Sequence, residues 1–590
     1  MPAYQELKNQ ADQQWTELTS GETPWVRVGS ALCSHAAGAF QVIEAFRSEL
    51  ERREIEAVID EVGCLGLCFA EPLVDILKPG TSRLFLKNVA PADVPALVES
   101  YLVGDKVPAE MAIGYLGDTP IDGVPDLNSL PGMRLQQRVA LRNVGHIAPG
   151  DIYQYIAQGG YSALNKALFE MQPPDVIKEI TDSGLRGRGG AAFSTGVKWN
   201  FLVRSPGPTK YILANCEEGD PGAYNDKGIL ESDPHMLLEG MLLAGYATGS
   251  SNSFVFIRHG HDGPIDRTER AIKQAYDVGL LGKRILGSEF NFEIEVALTG
   301  ESYVAGEESA LMEAIEGKRS MPRYRPPFPA QYGLWGKPSN INNVKTLSYA
   351  PDIISRGSEW FSSIGVNKST GTAVICLSGK IVNPGLYEVP MGISLRQVIE
   401  EIGGGIPDGK KLKLLQTGGP LGGVLGADSL DIRLDFDDMQ KAGAILGAGS
   451  IIVADEDTCA VDLTRILVTF CQYESCGKCF PCRLGMEHLL EIIERIARCE
   501  TRPDDLELMR SVGTTMESSA LCGHGQLGYG PVRSAIQYFE SDFIAHVEEK
   551  RCPTGSCLAP WVVPNSTRPY AADFDPTAAP VELASRTQSQ

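Results

Sequence analysis

Residues 474–483 read ESCGKCFPCR, three cysteines in C-x-x-C-x-x-C spacing. Thiols placed this way do not build an ordinary core; the backbone has to loop so that the sulfurs converge on something that takes thiolates. A single tetrahedral ion needs four ligands, and a zinc ribbon supplies the rest as a second C-x-x-C roughly 15–20 residues later. None follows here. The fourth-ligand candidates downstream are Cys499 and, in LCGHGQLGYGP, Cys522. On this stretch alone a zinc ion and an iron–sulfur cluster both remain open.

The other thiols also cluster. Of fourteen cysteines, Cys33, Cys64 and Cys68 fall near the start and Cys552 and Cys557 near the end. In a reducing compartment disulfides are rare, and grouped thiols bind metal. That compartment is the expected one. The opening MPAYQELKNQ has no basic-then-apolar signal, and no apolar run reaches the ~18 residues of a membrane span. A soluble, cytoplasmic chain without membrane insertion is predicted. At 590 residues it exceeds a single core of ~250–300 residues and should divide into several domains. A net charge of −22 lacks the basic stripe of a nucleic-acid surface and suits docking to other subunits.

Hydrophobic pattern divides the chain at changes of period. An extension, 1–24, precedes a first unit at 25–105. In it AAGAFQVIEAFRSELERREIEAVIDEV has helical spacing, and PLVDILKPGTSRLFLKNV reads as two strands around Pro-Gly. A Gly/Pro/Asp-rich linker follows at 106–135. Residues 136–350 alternate helices with the strands YILANC, SFVFIRH and FEIEVAL, an α/β pattern. Residues 351–455 open on the hairpin TAVICLSGKIVNPGLYEVP and continue into the helix SLRQVIEEIG, an α+β unit. Residues 456–560 turn helical, with Met486, Leu489, Leu490, Ile493 and Ile496 in one stripe. The tail 561–590 is polar and predicted to be flexible.

In DSGLRGRGGAAFSTGVKW the glycines let backbone approach a phosphate, beside Arg186, Arg188 and Lys198. The segment before Gly187 is helix-like, so this is not a Rossmann loop, and no G-x-x-x-x-G-K-[ST] is present. The acidic turn NCEEGDPGAYND, then AGEESAL and NINNVKTL, follow. Acids beside a phosphate loop suit ribose hydroxyls and ring edges, as in a flavin lying next to a second nucleotide.

Together GLRGRGGAAFSTGVKW, NCEEGDPGAY, AGEESALMEAIEGKR, RPPFPAQYGLWGKPSNINNVKTL and ESCGKCFPCR…LCGHG resemble the NADH-binding flavoprotein subunit of respiratory complex I. The resemblance is closer still to its soluble relatives serving NAD-linked hydrogenases and formate dehydrogenases. It covers about residues 136–550. It implies a non-Rossmann α/β domain holding FMN and NAD(H), a β-grasp-like (SLBB) insert, and a helical bundle with a [4Fe–4S] cluster on Cys476, Cys479, Cys482 and Cys522. By position, Gly187, Arg188, Gly189, Gly190, Lys198, Asn215, Glu217, Glu218, Gly306, Glu307, Asn342, Asn343 and Thr346 would hold FMN. Phe193, Phe201, Asp220, Glu308, Arg325 and Phe328 would face NAD(H), with Glu218 and Glu308 as catalytic residues. Family members carry Asp at Glu217, Glu at Asp220, Lys at Arg325 and Cys at Ala305. Each exchange keeps charge or small size.

The first unit resembles a thioredoxin-like [2Fe–2S] domain. Only Cys33 stands in its first loop, where a second cysteine is usual and Ala37 and Gly38 are found. Cys33, Cys64 and Cys68 then hold a cluster with a recruited ligand, or the domain is degenerate and docks a partner. In HVEEKRCPTGSC, His546, Cys552 and Cys557, joined by Cys459, form a candidate structural zinc site. The implied function is a diaphorase subunit that exchanges a hydride between NAD(H) and FMN and passes single electrons through its cluster. Its partners would be a thioredoxin-like [2Fe–2S] subunit and the iron–sulfur and catalytic subunits of a hydrogenase or formate dehydrogenase type complex. The alternative is a subunit of an electron-bifurcating complex that couples NAD(H) to ferredoxin.

Overall fold

All of β1 (Trp25–Gly29) is buried although its middle residue is an arginine. The sheet register explains this. Arg27 lies opposite Asp75 of the antiparallel β3 (Val74–Leu77) and pairs with it at 2.7 Å, and Arg83 of β4 (Arg83–Leu86) reaches the same carboxylate at 2.8 Å. β2 (Val58–Val62) runs parallel to β1, and β5 (Ala112–Leu116) closes the order β2-β1-β3-β4-β5. Two sequence expectations change here. AVIDEV does not extend the helix: Ala39–Arg52 ends, Glu54 takes a left-handed φ of 57°, and the β-branched residues that follow form β2. The predicted linker contributes β5. The computed structural model describes residues 4–300 and 302–557; the tail 561–590 lies outside them.

The second sheet is wholly parallel: β6 (Tyr211–Cys216), β7 (Asn252–Arg258), β8 (Glu293–Thr299) and β9 (Ser339–Asn343), in the order β8-β7-β6-β9. The first three are the strands the sequence predicts. SNINN, polar and not among the predicted strands, is largely buried as β9, with the Asn340 amide donating to the Lys198 carbonyl. Behind the sheet, the helix Pro234–Thr248 is apolar and buried nearly all round. A Cβ at Gly240 would stand 2.2 Å from the Leu347 carbonyl oxygen, so only glycine admits that crossing. Leu7 and Ala11 of the helix Tyr4–Ser20 join this core, as do Ile353, Ile354 and Phe361 beyond the predicted end of the unit.

A short hairpin, β10 (Gly365–Val366) and β11 (Ser369–Thr370), leads into a mixed sheet of β12 (Thr372–Gly379), β13 (Gly385–Pro390), β14 (Leu412–Thr417), β15 (Val424–Gly426) and β16 (Ser450–Asp455). Its order is β13-β12-β16-β14-β15. β12 and β13 are the predicted hairpin, and the predicted helix SLRQVIEEIG ends as a π-helical turn, Gln397–Ile402. The unit is tied down by Glu388, whose buried carboxylate accepts the N–H groups of Val139, Ala140 and Leu141 at 2.7, 3.1 and 2.9 Å. Last come the helices Ala460–Tyr473, Phe480–Ala497, Asp505–Ser519, Gly530–Tyr538 and Glu540–Val547. The predicted stripe is buried except that Ile492 takes the place given to Leu490. Among the described residues no helix is long and apolar enough to cross a membrane.

Candidate functional site

β6 lies between β7 and β9, so the strand order reverses beside it. In a parallel α/β sheet the crevice at the carboxyl ends of such a switch point is where ligands bind. Asn215 and Asn343 stand in register there. Asn215 donates to the Gly306 carbonyl at 2.8 Å and accepts the Glu217 N–H at 3.0 Å. Glu217 pairs with Arg258 at 2.8 Å; burial outweighs that cation and pushes its carboxyl up to about 8. A Cβ on Gly306 would lie 3.1 Å from the Glu217 carboxylate, so the turn Tyr303–Gly306 packs closely over it.

Beneath, Asn343 donates to Asp226 Oδ2 at 2.6 Å, and Lys345, fully buried, reaches Asp226 Oδ1 at 2.9 Å and Asn225 Oδ1 at 2.6 Å. Burial would lower Lys345; the charges of Asp226 and Glu218 outweigh it and hold the ammonium above its usual value. Nothing in the sequence pattern pointed to this pair. Removing one partner of a buried ion pair strands the other charge. Lys345→Met is therefore expected to lose about 3–5 kcal/mol in chemical denaturation. Asp226→Asn in the same chain should restore much of it, and an unchanged midpoint in the single variant would refute the pairing. Glu218, read as catalytic, accepts the N–H groups of Asn225, Asp226 and Lys227 at 2.8, 3.0 and 2.8 Å. Its carboxylate is thus engaged in capping the helix Asn225–Ser232.

The glycine loop lies against this edge. Gly190 has φ 115°, and a Cβ on Gly189 would come within 2.9 Å of Asn343 Cβ. The Arg188 N–H donates to Thr346 Oγ1 at 2.9 Å. The Arg188 side chain does not meet the expectation of a phosphate cation. Its guanidinium donates to the carbonyls of Arg186, Thr370 and Thr372 at 2.7, 2.7 and 3.1 Å and joins the second unit to the third. Lys198 and Arg325 are cations at the mouth. Lys198 pairs with Glu308 at 3.2 Å, and Glu308 with Arg325 at 2.7 Å. Burial raises Glu308, but Lys198 and then Arg325 outweigh it and hold the carboxyl below its usual value. Glu307 instead caps the helix Glu308–Ile315, accepting from Ser309 and Ala310 N–H at 2.9 and 3.1 Å. Asn342 donates to Asn340, which in turn donates to the Lys198 carbonyl at 2.9 Å.

Phe193, Phe201 and Phe328 are 49, 48 and 54 % exposed, and the first two rings lie 6.3 Å apart. Large exposed aromatics beside an ion-paired opening mark a planar-ligand surface. Asp220 has other neighbours, Tyr303 and Gly419 of the third unit. Its Oδ1 is buried without a partner, and burial pushes the carboxyl up to about 6 against the Tyr303 phenol.

Cys476 and Cys479 lie on the loop before the helix Phe480–Ala497, Cys482 in its first turn, and Cys522 at the start of the helix Gly523–Leu527. Burial, then the neighbouring Cys479, Cys522 and Cys476, push the Cys482 thiol up to about 12. Among the described residues two other groups close within 4.8 Å: Cys33, Cys64 and Cys68, and Cys459, His546, Cys552 and Cys557. The Cys476, Cys479, Cys482 and Cys522 set does not close that tightly, as suits ligands around a cluster wider than one ion. Cys499, the other candidate, sits at the far end of the helix with φ 59° and belongs to none of these groups. In the tail group His546 Nε2 lies 3.3 Å from Cys557 Sγ and 3.7 Å from Cys459 Sγ, while its Nδ1 is bonded to the Asp542 carbonyl at 2.6 Å. That bond fixes the tautomer that leaves Nε2 free for a metal. The turn holding Gly306 also touches the cysteine loop. Tyr303 N donates to Glu474 at 2.9 Å, and Lys478 donates to the Pro322 carbonyl at 2.6 Å.

Three family descriptions match in this order: the Nuo51 FMN-binding domain over 180–352, an SLBB domain over 374–425, and the NADH-ubiquinone oxidoreductase-F iron–sulfur binding region over 462–546. An F-type NADH-quinone oxidoreductase subunit of Rhizobium meliloti is 43 % identical over 419 residues, 70 % of this chain and 99 % of that protein. The chain belongs to the NADH-quinone oxidoreductase F family. Another relative, NADP-reducing hydrogenase subunit HndC of Solidesulfovibrio fructosivorans, is 45 % identical over 72 % of this chain and 86 % of its own length. A crystal structure of NAD+-reducing [NiFe]-hydrogenase in the air-oxidized state superposes with TM-score 0.62 at 25 % identity, covering 92 % of this chain and 90 % of that one.

As a member of this family the chain is an NAD(H)-dependent oxidoreductase with FMN and [4Fe–4S] domains, of the NAD-linked hydrogenase or complex I type. The donors fit both groups: a glycine cradle with the Lys198 cation beside it for a phosphate, and four neighbouring thiols for a cluster.

Proposed function

We propose that the chain is the diaphorase subunit of a soluble, cytoplasmic multi-subunit enzyme whose catalytic partner is a hydrogenase or formate dehydrogenase. The Lys198–Glu308–Arg325 row at the mouth of the switch point carries the reading, since it sets charge beside exposed aromatic rings. In this reading Gly187, Gly189, Gly190, Lys198, Asn215, Gly306, Asn342, Asn343 and Thr346 hold FMN. FMN and the [4Fe–4S] cluster supply the exchange between a two-electron hydride carrier and single electrons.

The chain's residues bind, orient and exclude water. Phe193, Phe201 and Phe328 cover the nicotinamide nucleotide. Glu308, kept anionic by its two cations, positions it, and Asp220 turns towards the adenosine ribose, where a negative charge opposes a 2′-phosphate. HndC is named as NADP-reducing, so nucleotide choice is a measurable difference within the family. Glu217 and Glu218 shape the pocket through Arg258 and the capped helix. The first unit is a thioredoxin-like domain, the third a β-grasp-like insert, and Cys459, His546, Cys552 and Cys557 a structural zinc site. A thioredoxin-like [2Fe–2S] subunit completes the partners.

Anaerobic titration tests the reading. One equivalent of NADH should bleach the bound flavin, with NADPH much slower. Flavin that dithionite reduces and NADH leaves oxidised would defeat it.

A further inference from the structure

The first unit brings three thiols together without the fourth that a [2Fe–2S] site needs. The sulfurs of Cys33, Cys64 and Cys68 all lie within 4.8 Å of one another. Around one zinc ion, bonds of ~2.3 Å at tetrahedral angles put sulfurs roughly 3.8 Å apart. A [2Fe–2S] rhomb takes two ligands on each of two irons, which separates one pair from the other. Three mutually close sulfurs match one ion and leave the second iron without a thiolate.

The residues nearby decide the fourth ligand. Ala37 and Gly38 carry no donor. His35 is bonded to Ser30 Oγ at 2.8 Å and stacked on Phe40 at 4.0 Å. Glu71 is 8 % exposed and lies against the Cys64 thiol. Its Oε2 accepts the Leu73 N–H at 2.8 Å, and its Oε1 is buried without a partner. A buried carboxylate oxygen left unpaired is costly unless a cation meets it. The Arg138 guanidinium, in the field of Glu388 and then of Cys64, also has Nε and Nη1 buried without partners.

We propose that Cys33, Cys64 and Cys68 hold one zinc ion in a site that clips the first unit to the flavin unit, with Glu71, whose carboxylate stands outside the 4.8 Å group of sulfurs, moving in as the fourth ligand. Both cysteine loops are already wedged there. Leu386 N donates to the Gly66 carbonyl at 2.9 Å, Leu32 N donates to Glu231 at 3.2 Å, and a Cβ on Gly63 would stand 1.8 Å from Ser232 Oγ. Binding draws Glu71 onto the ion beside the three thiolates. The thiols and any protonated carboxyl release their protons to solvent, and no electron moves. Zinc has no redox chemistry, so the first unit is not an electron exit. The site stands apart from the diaphorase reading and does not rest on it.

The test is metal content per chain in full-length protein purified anaerobically from cells replete in zinc and iron. The tail cysteines stay intact, so any zinc they hold cancels in the difference. Cys64→Ser should lose one zinc with iron and NADH–ferricyanide activity unchanged. Glu71→Gln should bind zinc at least about tenfold more weakly against a chromophoric chelator. Zinc X-ray absorption in the Cys552→Ser/Cys557→Ser protein should show three sulfurs and one oxygen. Loss of about two irons with a [2Fe–2S] EPR signal in Cys64→Ser would overturn the site. So would unchanged zinc in Cys64→Ser, or unchanged affinity in Glu71→Gln. If Cys64→Ser does not fold, the absorption spectrum decides: an all-sulfur shell, or no zinc, refutes the proposal.

Discussion

Lys198→Glu is expected to purify without FMN and without NADH–ferricyanide activity while keeping its iron. Lys198 lies beside the glycine loop with its ammonium on Glu308 rather than on backbone carbonyls, whereas Arg188 donates to three of them. It stands 3.2 Å from Glu308. Reversing its charge puts carboxylate against carboxylate and a second negative charge, besides Glu308, next to an incoming phosphate. At ~4 Å and an effective dielectric of ~20, each such contact is worth about 4 kcal/mol, so FMN affinity should fall by about 10²–10³-fold or more. Lys198→Gln, which removes the attraction without adding repulsion, should fall between the two. The checks are flavin absorbance per chain, ferricyanide turnover and iron content. Stoichiometric flavin in the Glu variant would move the phosphate site away from Lys198.

Cys482→Ser is expected to lose the cluster and leave the flavin. The side chain is buried in the helical core with Met486 and Met516, and a Cβ on Gly525 would lie 3.4 Å from its sulfur. The turn after Cys522 therefore closes directly on it. Serine cannot supply the thiolate, so about four irons and the EPR signal of the NADH-reduced protein should disappear together. Ferricyanide turnover should stay near wild type, because that acceptor takes electrons at the flavin. Since metal binding at such a site is also folding energy, the helical unit should melt first in a thermal scan. Cys499→Ser is the matched control and should keep its iron. The reverse result would exchange Cys499 for Cys522 as the fourth ligand.

Much was legible in one dimension wherever a short stretch carries its own chemistry. C-x-x-C-x-x-C needs no tertiary information to announce a thiolate site, and short apolar runs such as YILANC suit strands buried on both faces. The glycine-rich loop and the strands around it were likewise evident, as was the helical character of the cysteine-bearing unit. Local pattern failed where pairing or distant partners set the outcome. SNINN is polar and is not among the predicted strands; it forms β9 beside β6, and its amides find acceptors on other segments. AVIDEV belongs to β2 because β1 lies beside it, which helical spacing could not foresee.

The residues' roles divide the same way. The resemblance to a known family placed the acids, asparagines and Lys198 in one set, motif by motif. Only the packed chain decided which of them are free to act. A guanidinium or carboxylate bonds whatever donor or acceptor lies within about 3 Å when water is excluded. Arg188 and Glu218 therefore hold backbone, while Lys198, Glu308 and Arg325 remain at the opening. Lys345 with Asp226, and Glu71 beside Cys64, were invisible for the same reason. They are far apart along the chain or sit in ordinary-looking stretches, and burial alone makes their charges matter.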